Sequence, residues 1–321
     1  MLILSVLFGL SAPGPQAKDT QAELVALEAK VRSAEAMHDV AKSFPLYEEA
    51  QSGALKLIVD DALKEASDFR RAAGLFAPVH GDLLPLESQY ELTLVAAADG
   101  DAEARSRLGL RWDNLLTAMG RGRRIGAMKI DIPYGGARFE VHPTASVILA
   151  VYADPDSAVA KAKECKDNEE VNALVDADQK ARDFDFSTST PGQIEEMAKG
   201  DVERLRRIKE LVQAGDLATA DDFDRAALVF QHGDIFEDYA TAHELSVCAL
   251  LLGKRSASWL AGASYDRMLV NCGIPQRFGT QYGSAGSSFR LQRYETWGIN
   301  DAERTRIVRT TLEQATKRKF N

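Results

Sequence analysis

Little in this sequence announces a chemistry. It carries no P-loop, no GxSxG elbow and no dinucleotide-binding glycine fingerprint, so the common nucleotide and hydrolase signatures are absent. Only three cysteines occur, Cys165, Cys248 and Cys272. They lack metal-ligand spacing, and an odd number excludes a fully paired disulfide framework. Cys248 falls in an apolar helical segment and reads as a small packed hydrophobe, while a Cys248–Cys272 bridge would require an oxidising compartment. Positive charge is also short: 39 Lys and Arg stand against 48 Asp and Glu, a net charge of −9. That balance argues against general nucleic-acid binding, which needs a basic face to displace phosphate counterions. The two basic runs, 121–124 and 317–319, read as solvated loop or tail.

No run of apolar residues is long enough to span a bilayer. The longest candidate, Leu2 to Leu10, is followed by Ser11-Ala12-Pro13-Gly14-Pro15-Gln16-Ala17 and resembles the apolar core and cleavage region of a secretory signal. The basic start of such a signal is missing. Residues 1–17 are therefore a candidate signal peptide, with an exported or periplasmic protein expected and a cytoplasmic one the alternative.

What remains is ordinary globular composition, 45% hydrophobic and 27% charged over 321 residues, enough for about two domains. The pattern predicts a mainly α protein with a small antiparallel β-meander. Helical periodicity marks 19–43, a segment 46–73 restarting after Phe44-Pro45, then 86–98 and 101–119, an N-terminal helical region over 19–120. Met128, Ile130 and Ile132 alternate with charges, as do Phe139 and Val141, and Val147 to Tyr152 is a third apolar run; 121–154 is expected to form three strands. From Pro155 to residue 321 the chain reads as a C-terminal helical domain. Its helices are 155–166, 168–183, 191–214, 220–232, 236–253, 255–272 and 301–318, with glycine stops at 215, 233, 253 and 273. Thr219 before Asp221-Asp222 predicts an N-cap. Residues 279–299 read as a long loop.

Three polar constellations fall in this last domain. Gln231-His232 ends a helix just before Gly233, where the imidazole either caps free carbonyls or stands exposed as a general acid/base with Gln231 as an amide anchor. Asp266-Arg267 lies among Leu260, Ala263, Met268 and Leu269, where charges require partners. The pair is either a structural ion pair, or Asp266 orients His232 while Arg267 clamps an anion. Gln276, Thr280 and Gln281, within 273–281, supply directed donors and acceptors, either for a ligand or for the turn's own backbone. His243, with Phe236, Tyr239, Val247 and Leu250 on one helical face, reads as a satisfied core residue. His232, Asp234, Asp238 and His243 have no short-range spacing that specifies a metal. No cofactor is implied, and no oligomeric state.

The string Ala227-Leu228-Val229-Phe230-Gln231-His232, then Asp266-Arg267, then Gly273 with Pro275-Gln276-Arg277-Phe278-Gly279-Thr280-Gln281, resembles an uncharacterised bacterial helical domain family, a domain of unknown function. Asp178 to Arg182 and Asp201 to Leu205 resemble its earlier helices, so the resemblance covers about 170–285. The chain departs from it by Gly233, where members often have alanine, and by its added N-terminal region. The resemblance implies that the three constellations share one site and implies no reaction. The expected site therefore has His232 and Asp266 as acid/base and orienter, and Gln231, Arg267, Gln276, Thr280 and Gln281 as contacts. Its ligand would be a small molecule or peptide, with hydrolysis or group transfer the least committed class. The competing expectation is a non-catalytic, helical-repeat-like interaction module, suggested by Ala249, Gly253, Ala257, Ala261 and Ala263 at close helix contacts.

Overall fold

The structure, a computed structural model, describes residues 15–76, 82–126, 144–184, 188–285 and 288–318. Among these residues the protein is mainly α-helical with one two-stranded antiparallel sheet. The helices before the sheet are α1 (Pro15–Glu35), α2 (Val40–Val59), α3 (Ala66–Ala73), α4 (Leu83–Ala98), α5 (Ala102–Ala118), α6 (Ser146–Ala153), α7 (Pro155–Ala162), α8 (Glu169–Lys180), α9 (Pro191–Ala214), α10 (Ala220–Phe230), α11 (Phe236–Leu251) and α12 (Ser258–Asn271). The hairpin β1 (Tyr282–Ala285) and β2 (Ser288–Leu291) follows, then α13 (Asp301–Val308) and α14 (Leu312–Lys317). No described helix is long and apolar enough to cross a membrane. The three cysteines are free, and Cys248 is buried in α11 as a small apolar group.

Two helices form the centre. In α4 every residue from Pro85 to Ala97 is buried, and α11 is buried over most of its length. Helices α3, α5 and α13 pack on α4, helices α6, α10 and α12 pack on α11, and α4 and α11 touch. One hydrophobic cluster consequently runs from Leu24 to Val308. The N-terminal and C-terminal helical regions share it.

Several ends follow the predicted chemistry. Thr219 caps α10 in a capping box with Asp222, and Thr190 does the same for α9 with Gln193. Gly215 closes α9 in the left-handed conformation, φ 82°. Other boundaries differ from expectation. The first helix break comes before Phe44-Pro45, because Asp39 caps a new helix by accepting from Ala41 N at 3.1 Å, and Pro45 is absorbed inside α2. The expected 46–73 helix is interrupted between α2 and α3, where Asp61 has φ 49°. The expected 301–318 helix splits at Arg309, φ 58°, and Thr311 caps α14.

The third expected strand, Val147 to Tyr152, is helical. An unbroken apolar run has no period to separate strand from helix. In α6 it buries Ile148, Val151 and Tyr152, which share one helical face. The other two expected strands, over 128–141, lie outside the described residues. The described sheet is instead the β1–β2 hairpin, within the segment expected to be loop, in register Tyr282 opposite Leu291.

A polar and aromatic seam runs through the core. Arg124 pairs with Glu244, its NH2 donating to Oε2 at 2.9 Å, and Trp112 Nε1 donates to Glu244 Oε1 at 2.9 Å. Trp112, Tyr90, His243 and Tyr265 stack beside them, with Trp112 and His243 centroids 4.8 Å apart. His243 is fully buried, as expected, and burial pushes its imidazole down to about 4. Its Nδ1 donates to Ala261 O at 2.8 Å, which makes Nε2 the acceptor for Tyr90 OH. Tyr265 OH donates to Glu91 Oε1 at 3.3 Å, and Arg277 clamps Glu91 from its two nitrogens, Nε to Oε1 at 2.7 Å and NH2 to Oε2 at 2.9 Å.

One turn earlier on α4, Glu87 lies 3.8 Å from Arg277 Nε, and its Oε1 has no hydrogen-bond partner. Burial, only partly offset by Arg277, pushes its carboxyl from 4.5 up to about 8. A carboxyl raised on folding is stabilising below its unfolded value, and that contribution falls as pH climbs from 4.5 through about 8, because the folded state holds a proton the unfolded state has released. The Glu87→Gln variant mimics the protonated form. It is expected to match the wild type in urea unfolding near pH 5 and to exceed its stability at pH 9. Parallel pH dependence of the two proteins would contradict a neutral Glu87.

Candidate functional site

Residue Asp266 is completely buried in α12, and its carboxylate is fully engaged by the turn that follows. Oδ1 accepts from the backbone N–H groups of Arg277 (2.8 Å) and Phe278 (2.9 Å). Oδ2 accepts from the Thr280 N–H (3.0 Å) and hydroxyl (2.8 Å). Burial pushes the carboxyl up, and these four donors oppose the shift. The expected contact between Asp266 and His232 is therefore replaced: Asp266 shapes residues 277–280 and orients no imidazole.

The glutamines complete the same turn. Gln276 is fully buried, accepting from Gln281 N at 2.7 Å through Oε1 and donating from Nε2 to Gln281 O (2.8 Å) and Gln292 O (3.1 Å). Gln281 Nε2 donates to Ala263 O at 3.0 Å. Gln276 thus joins the turn to the strand leaving the hairpin, and Gln281 joins it back to α12. Gly279, at φ 81°, makes the left-handed step between them. Thr280, Gln276 and Asp266 are inward-facing members of a scaffold, the alternative in which the turn satisfies its own backbone.

His232 and Arg267 reach the surface along one edge. Gln231 caps α10 and His232 follows it. His232 Nδ1 sits 3.2 Å from Asp178 Oδ1 on α8, and the imidazole keeps 19% of its side-chain surface. Burial raises the Asp178 carboxyl, but His232, Arg182 and Gln179 outweigh it and hold the group below its ordinary range. Arg182 NH1 donates to Asp178 Oδ1 at 2.9 Å and NH2 to Asp201 at 2.8 Å. Asp178 does what was expected of Asp266. Its signal was present in the sequence, since Asp178 and Arg182 are one helical turn apart and Asp178 shares a face with the buried Val171 and Val175.

Arg267 connects scaffold to edge. Its NH1 donates to Gln231 O at 2.7 Å and its Nε to Gln281 Oε1 at 3.0 Å. Among the described residues it makes no ion pair, and burial lowers its pKa. The side-chain oxygen of Gln231 is buried without a donor. His232, Gln231, Arg267 and Gln281 are thus brought together, while Asp266, Gln276 and Thr280 stand behind them. Comparison with models of protein families, with curated proteins and with solved structures finds no match to this chain.

Gly233 turns the chain away from His232 under a steric limit. A Cβ there would come within 2.5 Å of the Asp238 side chain, itself held by Lys209. Two outcomes follow for stability. Gly233→Ala must displace Asp238 and is expected to cost about 1–3 kcal/mol in chemical denaturation. Asp266→Asn loses acceptors for donors converging from three residues and is expected to cost about 3 kcal/mol or more. An Asp266→Asn protein of unchanged stability would show that the carboxylate does not hold the turn.

Proposed function

We propose that residues 170–285 carry a site for an anionic group of a small molecule or peptide, on the edge formed by His232, Gln231 and Arg267. The observation that supports it is Arg267, a half-buried guanidinium fixed by Gln281 and the Gln231 carbonyl, yet without a carboxylate. A cation held in place and left unpaired suits a carboxylate or phosphate brought by a ligand, for which arginine provides a planar fork of donors.

If the site performs chemistry, His232 is the general acid/base and Asp178, not Asp266, is its positioning residue. Asp178 accepts at Nδ1 and so keeps Nε2 available for proton transfer, the logic of an oriented imidazole in hydrolysis or group transfer. No serine or cysteine nucleophile is hydrogen-bonded to His232 among the described residues, which favours binding over covalent catalysis. The resemblance of this segment to the uncharacterised bacterial family belongs to the same proposal, as does export directed by residues 1–17.

The rival is a non-catalytic interaction module. Helices α10, α11 and α12 pack consecutively, with Ala249, Ala257, Ala261 and Ala263 buried between them, as stacked helical units do. A thermal-shift screen against a metabolite library separates the two. A ligand present at about 100 times its Kd stabilises the folded state by about 2.7 kcal/mol. The shift is expected to be lost in Arg267→Gln and reduced in His232→Ala, with both variants unfolding cooperatively. A library without effect on the wild type, or hits untouched by both substitutions, would favour the module.

A further inference from the structure

Away from this edge, α1, α3, α4 and α5 border an open cleft of about 340 Å³ lined by Arg32, Arg70, Arg71, Arg107 and Arg111. Five arginines facing one space run against the character of a chain with net charge −9. Two carboxylates, Glu28 and Glu103, share the lining, and a third, Asp101, pairs with Arg70 Nε at 3.0 Å, which leaves two cations unmatched. Both lining carboxylates are already committed. Glu28 accepts from Arg71 at two points, 2.7 Å from Nε and 3.0 Å from NH2. Glu103 holds Arg70 NH1 at 2.8 Å and Arg107 NH2 at 2.6 Å. Arg32 and Arg111 have no ion pair among the described residues.

Arg111 is the decisive group. NH1 donates to Gln89 Oε1 at 2.8 Å, but Nε is buried and has no acceptor. Burial, with Arg107 nearby, pushes its guanidinium down to about 10. A protein gains nothing for its fold by holding an unpaired cation in this way, since burying a charge without a partner is destabilising. The arginines project from rigid helices, and Ala73 and Leu75 beside them are buried, so the space is preformed. Its size falls at the lower end of small-molecule sites, about 300–1,000 Å³.

We infer that this cleft binds a phosphate group, either of inorganic pyrophosphate or of a nucleotide diphosphate. Two unmatched cations are too many for one carboxylate. A phosphate group brings about −1.5 to −2 at neutral pH, which matches them. Phosphate oxygens also accept paired N–H donors from a guanidinium. The site is distinct from the His232 edge and does not rest on it.

The test is isothermal titration calorimetry of the full chain at fixed ionic strength, with inorganic pyrophosphate, ADP and citrate as probes, on the wild type, Arg111→Met and Arg32→Gln. Saturable one-site binding of pyrophosphate or ADP is expected, weakened about tenfold or more in Arg111→Met, as for loss of a charged hydrogen bond. Tighter binding of ADP than of pyrophosphate would identify the nucleotide as the source, and the reverse order the inorganic ion; both support the inference. The thermal midpoint of Arg111→Met is expected at or above that of the wild type, because an unpaired charge has been removed while its apolar stem is retained. Absence of saturable binding by pyrophosphate and ADP overturns the inference. So does binding unaltered in both variants, or citrate bound as tightly as the phosphates.

Discussion

The ion pair between Arg277 and Glu91 is the constraint on which the rest of the molecule depends. Both groups are buried, and each charge alone would cost several kcal/mol to remove from water. The cost is offset only because the geometry is bidentate and the remaining donors and acceptors are nearly all used. Arg277 NH2 also reaches Trp297 O at 2.8 Å, its backbone N–H binds Asp266, and its carbonyl accepts from Arg304 Nε at 3.1 Å. One residue thereby ties α4, α12, α13 and the turn after α12 into a single arrangement. Such a pair adds little net stability against a well-packed apolar substitute; it penalises any arrangement that separates its halves.

From that anchor the division of labour among the polar residues of the C-terminal region becomes intelligible. Residues 276–281 are drawn inward, with the carboxylate of Asp266 and the two glutamine amides consuming the backbone groups that a tight turn would otherwise leave buried and unmet. The scaffold fixes Arg267, through Gln281, against the carbonyl of Gln231. His232 and Asp178 sit on the far side of that carbonyl. The region therefore has a rigid interior and a narrow polar margin, and only the margin is available to a ligand.

Much of the fold was legible because helix signals are local. Thr219 with Asp222, Gly215, and the α9 boundaries at 191 and 214 are set by residues within a turn of one another. Asp39 sets the start of α2 for the same reason, while Pro45 is accommodated inside the helix at the cost of one backbone hydrogen bond. The misread segments are those whose state depends on distant partners. Val147 to Tyr152 is apolar throughout, and only packing of α6 against α5 and α11 decides its form. In the site, hydrogen bonds bring Gln231, Arg267 and Gln281 together, whereas Asp266, expected to orient His232, turns inward to hold residues 277–280. The actual partner comes from α8, and no periodicity links residue 178 to 232. Glu87 and Glu91 carried a readable signal, two carboxylates one turn apart in a helix with no other charge. Such charges must be paired, though their sequence context does not name Arg277 as the partner.

The separation of that pair along the chain bears on biosynthesis. Glu91 leaves the ribosome 186 residues before the arginine that neutralises it. At about 5–20 residues per second, the interval is roughly 10 to 40 s. During it α4, buried from Pro85 to Ala97 in the folded protein, has two carboxylates that no nearby cation balances and that the finished core would exclude from water. The N-terminal helices cannot settle into final form as they emerge. They must wait, solvated or guarded by a chaperone, for a residue 186 positions further along the chain to close the core around them.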